Sequence, residues 1–163
     1  MDHAKYMAMA IQEAEDGVQN GFLPYGGIIV KNDQVIGKGK STGVATKDPT
    51  AHAEMNAIRQ AAQFLGTGDM RGCTMYANCD PCPMCAGAAI YSGVSTVVIG
   101  AGPEVLRRLS SGRYDLKDYT IERVVELSGL TIQVIRGVLE EQAEKVFKEW
   151  KDWNIAASSV APN

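Results

Sequence analysis

Cys73-Thr74-Met75-Tyr76-Ala77-Asn78, Asp80-Pro81-Cys82-Pro83-Met84-Cys85 and Val94-Ser95-Thr96-Val97-Val98-Ile99 lie in that order within one stretch, and their order decides the fold. The first piece alternates as a strand does, with Cys73, Met75 and Ala77 on one face and Thr74 and Tyr76 on the other. Asp80-Pro81 reads as a helix start, because Asp suits the N-cap and Pro the first helical position, and the helix is expected to run to about Ser92. The third piece is almost wholly apolar, as expected of a strand covered on both faces.

The flanking sequence repeats this alternation. Residues 2 to 19 place Ala4, Met7, Ala8, Ile11, Ala14 and Val18 at helical spacing, and Asn20-Gly21 stops the pattern. Ile28-Ile29-Val30 and Val35-Ile36, separated by Asn32-Asp33, read as a hairpin. Gly39 to Lys47 reads as a loop, and a second Asp-Pro pair, Asp48-Pro49, is expected to open a helix that ends at Gly66. Beyond the central stretch come a helical region at Glu104 to Leu109, a polar loop to Tyr119, a strand at Leu130 to Ile135 and a helix at Val138 to Trp153. This order predicts a three-layer α/β/α domain with a five-stranded mixed sheet, spanning residues 1–154, and a tail at 155–163.

Composition limits the function classes. With 163 residues, 45% of them hydrophobic and 21% charged, the chain suits one globular domain rather than a disordered or fibrous segment. A net charge of −3 gives no global attraction to phosphate backbones or anionic lipid. Met1-Asp2-His3-Ala4-Lys5-Tyr6 lacks a secretory pattern, and no run approaches the ~18 apolar residues of a membrane span, so a cytoplasmic location is expected. In a reducing compartment, cysteines serve metal or chemistry better than disulfides. All four, Cys73, Cys79, Cys82 and Cys85, fall in the central stretch, and the histidines are only His3 and His52.

His52, Cys82 and Cys85 offer one imidazole and two thiolates, the three-ligand complement typical of catalytic zinc, which keeps its fourth position for water. Cys82 and Cys85 are spaced to share one face of a helical turn. Each ligand set closely follows an Asp-Pro helix start, so two helix N-termini can face one point and favour thiolate over thiol there. Zinc with two thiolates and a neutral imidazole sums to zero charge, which eases the acidification of a bound water. Glu54, two residues from His52, is placed to move protons. Cys79 also forms a Cys-x-x-Cys with Cys82, so a closed four-ligand structural site is the alternative; otherwise Cys79 and Cys73 are buried wall residues.

His-x-Glu followed by Pro-Cys-x-x-Cys is the signature of zinc nucleobase and nucleoside deaminases. The chain resembles the cytidine and deoxycytidylate deaminase superfamily, in the branch that contains cytosine deaminase, guanine deaminase and the tRNA adenosine deaminases. The resemblance is carried by the segment from Asp48 to Arg59 and by Pro81-Cys82-Pro83-Met84-Cys85-Ala86-Gly87-Ala88, and extends over roughly residues 3 to 153. It implies a cytidine deaminase-like fold, one Zn²⁺ per subunit on His52, Cys82 and Cys85, Glu54 as proton shuttle, a substrate contact from the Cys82 amide, and a homodimer. Ala53, between ligand and shuttle, is counted with the candidate substrate contacts.

The chain departs from the family where substrate is held. Ser41 stands eleven residues before His52, where relatives commonly carry an asparagine, and a hydroxyl offers fewer hydrogen-bonding atoms than an amide. Trp150 and Trp153, three apart on an amphipathic helix, suit core packing and also resemble the aromatic C-terminal lid of cytosine deaminases, while Asp115 suits a loop or capping carboxylate and also resembles the aspartate-bearing loop of guanine deaminase. The expected activity is hydrolytic deamination of a free nucleobase or related heterocycle, cytosine-type first on the Gly26-Gly27 and Trp153-Asn154 features and guanine-type second. A tRNA adenosine deaminase and a non-catalytic zinc scaffold are the alternatives. The acidic charge and the absence of a basic final helix place nucleic acid behind a small molecule.

Overall fold

Alternation along the central strands divides the core in two. In the computed structural model, which describes residues 1–109 and 116–151, the strands are β1 (Leu23–Lys31), β2 (Gln34–Ser41), β3 (Thr74–Cys79), β4 (Thr96–Ala101) and β5 (Gln133–Ile135). Ile29, Met75, Val97 and Ile99 enter one apolar cluster, and Ile28, Val30, Tyr76 and Val98 enter the other. A sheet buried on both faces needs helices on both. The first cluster is completed by residues of α3 (Ala53–Leu65), α4 (Pro83–Ser92) and α6 (Ile121–Ser128); the second by α1 (His3–Gln19), α5 (Pro103–Leu109) and α7 (Glu140–Glu149). This is the expected three-layer α/β/α fold. The sheet runs β2-β1-β3-β4-β5, with β1 antiparallel to β2 and β3, and the β3/β4 and β4/β5 pairs parallel. No described helix is long and apolar enough to cross a membrane.

Several boundaries differ from the sequence reading, each for a local reason. Asp48 does not cap a helix: its Oδ1 accepts from the Thr50 amide (2.8 Å) and hydroxyl (2.7 Å) in a turn, and α3 begins only at Ala53. α4 likewise starts at Pro83, after Cys82 as N-cap. Part of the expected loop at 39–47 is strand, since β2 continues through Ser41, and a short helix, α2 (Gly43–Thr46), follows. α6 was not anticipated, although Thr120 caps it by accepting from Arg123 N and Gly129 ends it in the left-handed region. Left-handed Gly137 and Leu139 delay α7 to Glu140, and Trp150 leaves the helix in an extended conformation. His3, at the start of α1, has its Nδ1 3.0 Å from the Tyr76 hydroxyl.

The glycines of β1 and β2 set how closely helices approach the sheet. A Cβ on Gly26 would lie 2.3 Å from Ala10 O of α1, and one on Gly39 would lie 2.0 Å from Ala53 O, at the first turn of α3. These contacts are with backbone, which cannot swing aside. Gly39→Ala is therefore expected to destabilise the chain by about 1–3 kcal/mol in urea unfolding. Gly68→Ala, at a position with nothing within 4 Å of the added carbon, serves as the near-neutral comparison.

Candidate active site

His52 and Cys82 occupy equivalent places. Each is the N-cap of its helix, with extended backbone (φ −72°, ψ 161° and φ −64°, ψ 167°), and neither side chain caps the helix it precedes. Both side chains are thereby left for something else. Cys85 sits one turn into α4 and is fully buried. His52 Nδ1 lies 3.5 Å from Cys82 Sγ and 3.6 Å from Cys85 Sγ, and the two sulfurs are 3.6 Å apart.

This triangle tests the donor set against zinc. Tetrahedral bonds of about 2.3 Å to sulfur and about 2.05 Å to nitrogen separate S and N by about 3.6 Å, and two sulfurs by about 3.8 Å. The observed spacings match to within about 0.2 Å, so these residues form a possible zinc site. The Cys82 thiol is pulled down to about 4 by its contact with Cys85 and by the His52 ring, which favours thiolate beside the imidazole. The hydrogen bond with Cys82, and then burial, push the Cys85 thiol up, and a dication at the centre would displace its proton. Among the described residues Cys79 does not join the set: it is buried in the opposite cluster, and burial raises its thiol. Three donors and no fourth argue against the closed structural site.

Glu54, in the first turn of α3, is 7% exposed and lines the same cavity as His52 and Cys82. Burial raises its carboxyl to about 7, with the Cys82 thiolate adding to the effect. A cation in the donor set would lower it again, so the group is poised to both take and give a proton.

The cavity has a volume of about 400 Å³. Leu23, Tyr25, Leu106 and Tyr119 give it apolar and aromatic walls, and Ser41 also lines it. The remaining substrate candidates fall elsewhere. Ala53 is fully buried and Trp150 is 6% exposed, and neither lines the cavity. Asp115 and Trp153 lie outside the described residues.

Sequence reading missed the residues that hold this site together. Asn56 Nδ2 donates to Lys40 O (2.9 Å) and contacts Thr42 Oγ1 (3.1 Å), fastening the end of β2 to the start of α3. Arg59 reaches back to Asn56 Oδ1 (3.0 Å) and Thr50 Oγ1 (2.9 Å). Asn78, 1% exposed, accepts from Gly26 N (2.9 Å) and donates to Pro24 O (3.0 Å), so the end of β3 fixes the strand that carries Leu23 and Tyr25. The Tyr119 hydroxyl donates to Pro81 O (2.5 Å). Two signals were available in advance: Asn56 and Arg59 fall within the Asp48 to Arg59 segment, and Asn78 is an amide in a strand that is buried throughout.

Comparisons with known proteins agree with this geometry. Residues 1–101 match the cytidine and deoxycytidylate deaminase zinc-binding region. The chain is 38% identical over 102 residues to the guanine deaminase of Bacillus subtilis, covering 62% of this chain and 65% of that protein. It is 41% identical over 96 residues to the tRNA-specific adenosine deaminase of the same organism, covering 59% and 60%. The aligned segment thus spans less than two thirds of these curated relatives. A solved guanine deaminase from Nitrosomonas europaea superposes with a TM-score of 0.80 at 22% identity, over 91% of this chain and 84% of the other, and shares the fold. With its two motifs folded into a three-donor site, the chain belongs to the cytidine and deoxycytidylate deaminase family.

Proposed function

We propose that this chain is a hydrolytic deaminase of a free amino-substituted heterocycle, with guanine-type bases first and cytosine-type bases second. The observation that carries the reading is a buried carboxylate, Glu54, beside a three-donor set in a cavity with apolar and aromatic walls. The sequence expectation had put cytosine first, partly on Gly26-Gly27. Packing of α1 on β1 accounts for Gly26 without reference to any base, and guanine deaminases stand among both the sequence and the structural relatives.

In the net reaction water adds to the amine-bearing ring carbon, ammonia leaves, and that carbon becomes a carbonyl. A zinc ion held by His52, Cys82 and Cys85 would supply a water acidic enough to act as nucleophile at neutral pH. Glu54 is placed to carry two protons in turn: the first from the attacking water to a ring nitrogen, and the second from the added hydroxyl to the departing amine as the carbonyl forms. Tyr25 and Tyr119 offer aromatic surfaces to a planar ring, and Ser41 offers one hydroxyl where relatives commonly offer an amide.

A second reading, adenosine deamination in tRNA, is favoured by Lys47, Arg107 and Lys117, which line the same cavity, and by the tRNA-specific relative. It requires salt-sensitive tRNA binding in a gel shift. A homodimer is part of the proposal: Met84, Gly87, Ala88 and Tyr91 of α4 form a stripe at helical spacing, none of it buried, with Tyr91 95% exposed. Light scattering gives the mass directly.

Cys82→Ser and Cys85→Ser are each expected to lower bound zinc from about one ion per chain toward zero by elemental analysis; unchanged zinc content counts against that ligand. Glu54→Gln is expected to keep the metal and lose roughly 10²–10⁴-fold in turnover. Ammonia release across guanine, cytosine, isocytosine, adenine, their nucleosides, triazines and pterins identifies the substrate. Activity on tRNA with none on free bases would reject the leading reading.

A further inference from the structure

Asp80 is a buried carboxylate that the proposed reaction leaves without a task. It directly precedes Pro81-Cys82, and its side chain is 3% exposed. Oδ2 accepts from Arg136 Nη1 at 2.5 Å, while Oδ1 is buried and accepts no hydrogen bond from the described residues. Arg136, just after β5, also grips Glu122 with two parallel bonds, Nε to Oε1 (2.6 Å) and Nη2 to Oε2 (2.7 Å). Glu122 lies in the first turn of α6, three residues beyond Tyr119, whose hydroxyl bonds Pro81 O. Two separate connections therefore tie the 80–82 turn to the segment that walls the cavity.

A half-satisfied buried carboxylate is a poor way to gain stability, because apolar packing of the same volume serves as well or better. A planar guanidinium can hold two carboxylates at once in fixed directions, which an ammonium cannot. What this ion triad fixes is direction, at the residues that deliver the first thiol. We propose that Arg136 is a positioning residue for the metal site: by bridging Glu122 and Asp80 it holds the Asp80-Pro81-Cys82 turn, and hence the Cys82 sulfur, in register with His52 and Cys85. Its effect is on the metal, through Cys82, and it touches neither metal nor substrate.

The test measures zinc affinity by chelator competition for the full chain and for Arg136→Lys, Glu122→Gln and Tyr119→Phe, together with the melting temperature of each metal-stripped protein. Arg136→Lys keeps a cation beside Asp80, so the metal-free melting temperature is expected to stay near wild type while zinc affinity falls roughly tenfold, as for other groups that orient metal ligands. Glu122→Gln and Tyr119→Phe are expected to shift affinity in the same direction. The Arg136→Lys/Tyr119→Phe double variant should lose less than the product of the single losses, since both bonds hold one turn. Wild-type affinity in all three single variants overturns the proposal, and so does an affinity loss that follows a matching drop in metal-free melting temperature in every variant. The inference rests on the zinc site of the proposed function and not on the identity of the base. Absence of zinc affinity in the wild type would overturn both, whereas inactivity toward every base tested touches only the substrate reading.

Discussion

Two helix N-termini meeting at one point are the constraint on which the rest of the structure depends. α3 packs on β2 and β1, and α4 leaves the end of β3; because β1 and β3 are neighbours, the first turns of both helices arrive side by side. Their N-cap positions carry His52 and Cys82, neither of which bonds a free amide of its own helix. Forgoing a capping side chain costs about 1 kcal/mol per helix. Metal binding offsets that cost many times over in sites of this type. The same free amides and helix dipoles favour thiolate at the meeting point.

The surrounding structure guards this meeting. Gly39 lets α3 lie almost against β2, Asn56 fastens the two where Ser41 reaches the cavity, and Asn78 locks the start of β1 to the end of β3. The cavity opens beyond the carboxyl ends of β3 and β4, the usual place for a site in an open α/β sheet. Apolar and aromatic side chains (Leu23, Tyr25, Leu106, Tyr119) line it together with His52, Glu54 and the cations Lys47, Arg107 and Lys117.

Legibility in the sequence followed the range of the forces involved. β3, α4 and β4 were readable because alternation, an Asp-Pro pair and an apolar run are local signals. Both helix starts were placed too early because Asp48 spends its side chain on Thr50 and α4 takes Cys82 as its cap. The Gly-rich end of β2 looked like loop, since its glycines answer to a helix distant in sequence. α6 went unread, although Thr120 and Gly129 bracket it and Val124 and Val125 pack against the core. Of the candidate substrate contacts, Ser41 lines the cavity, while Ala53 and Trp150 are buried away from it.

By itself the sequence determined the layer architecture, the donor set His52, Cys82 and Cys85, and the pairing of that set with Glu54, because residue type and short spacing already restrict which metal and which proton chemistry are feasible. Only the tertiary structure decided that the donors close to within 3.5–3.6 Å of one another, that Cys79 faces away from them, and that Tyr25, Tyr119 and Ser41 share their cavity. Those facts depend on strand order and on helix-to-sheet distance. Both are set by contacts between residues far apart in the chain, where no local pattern records them.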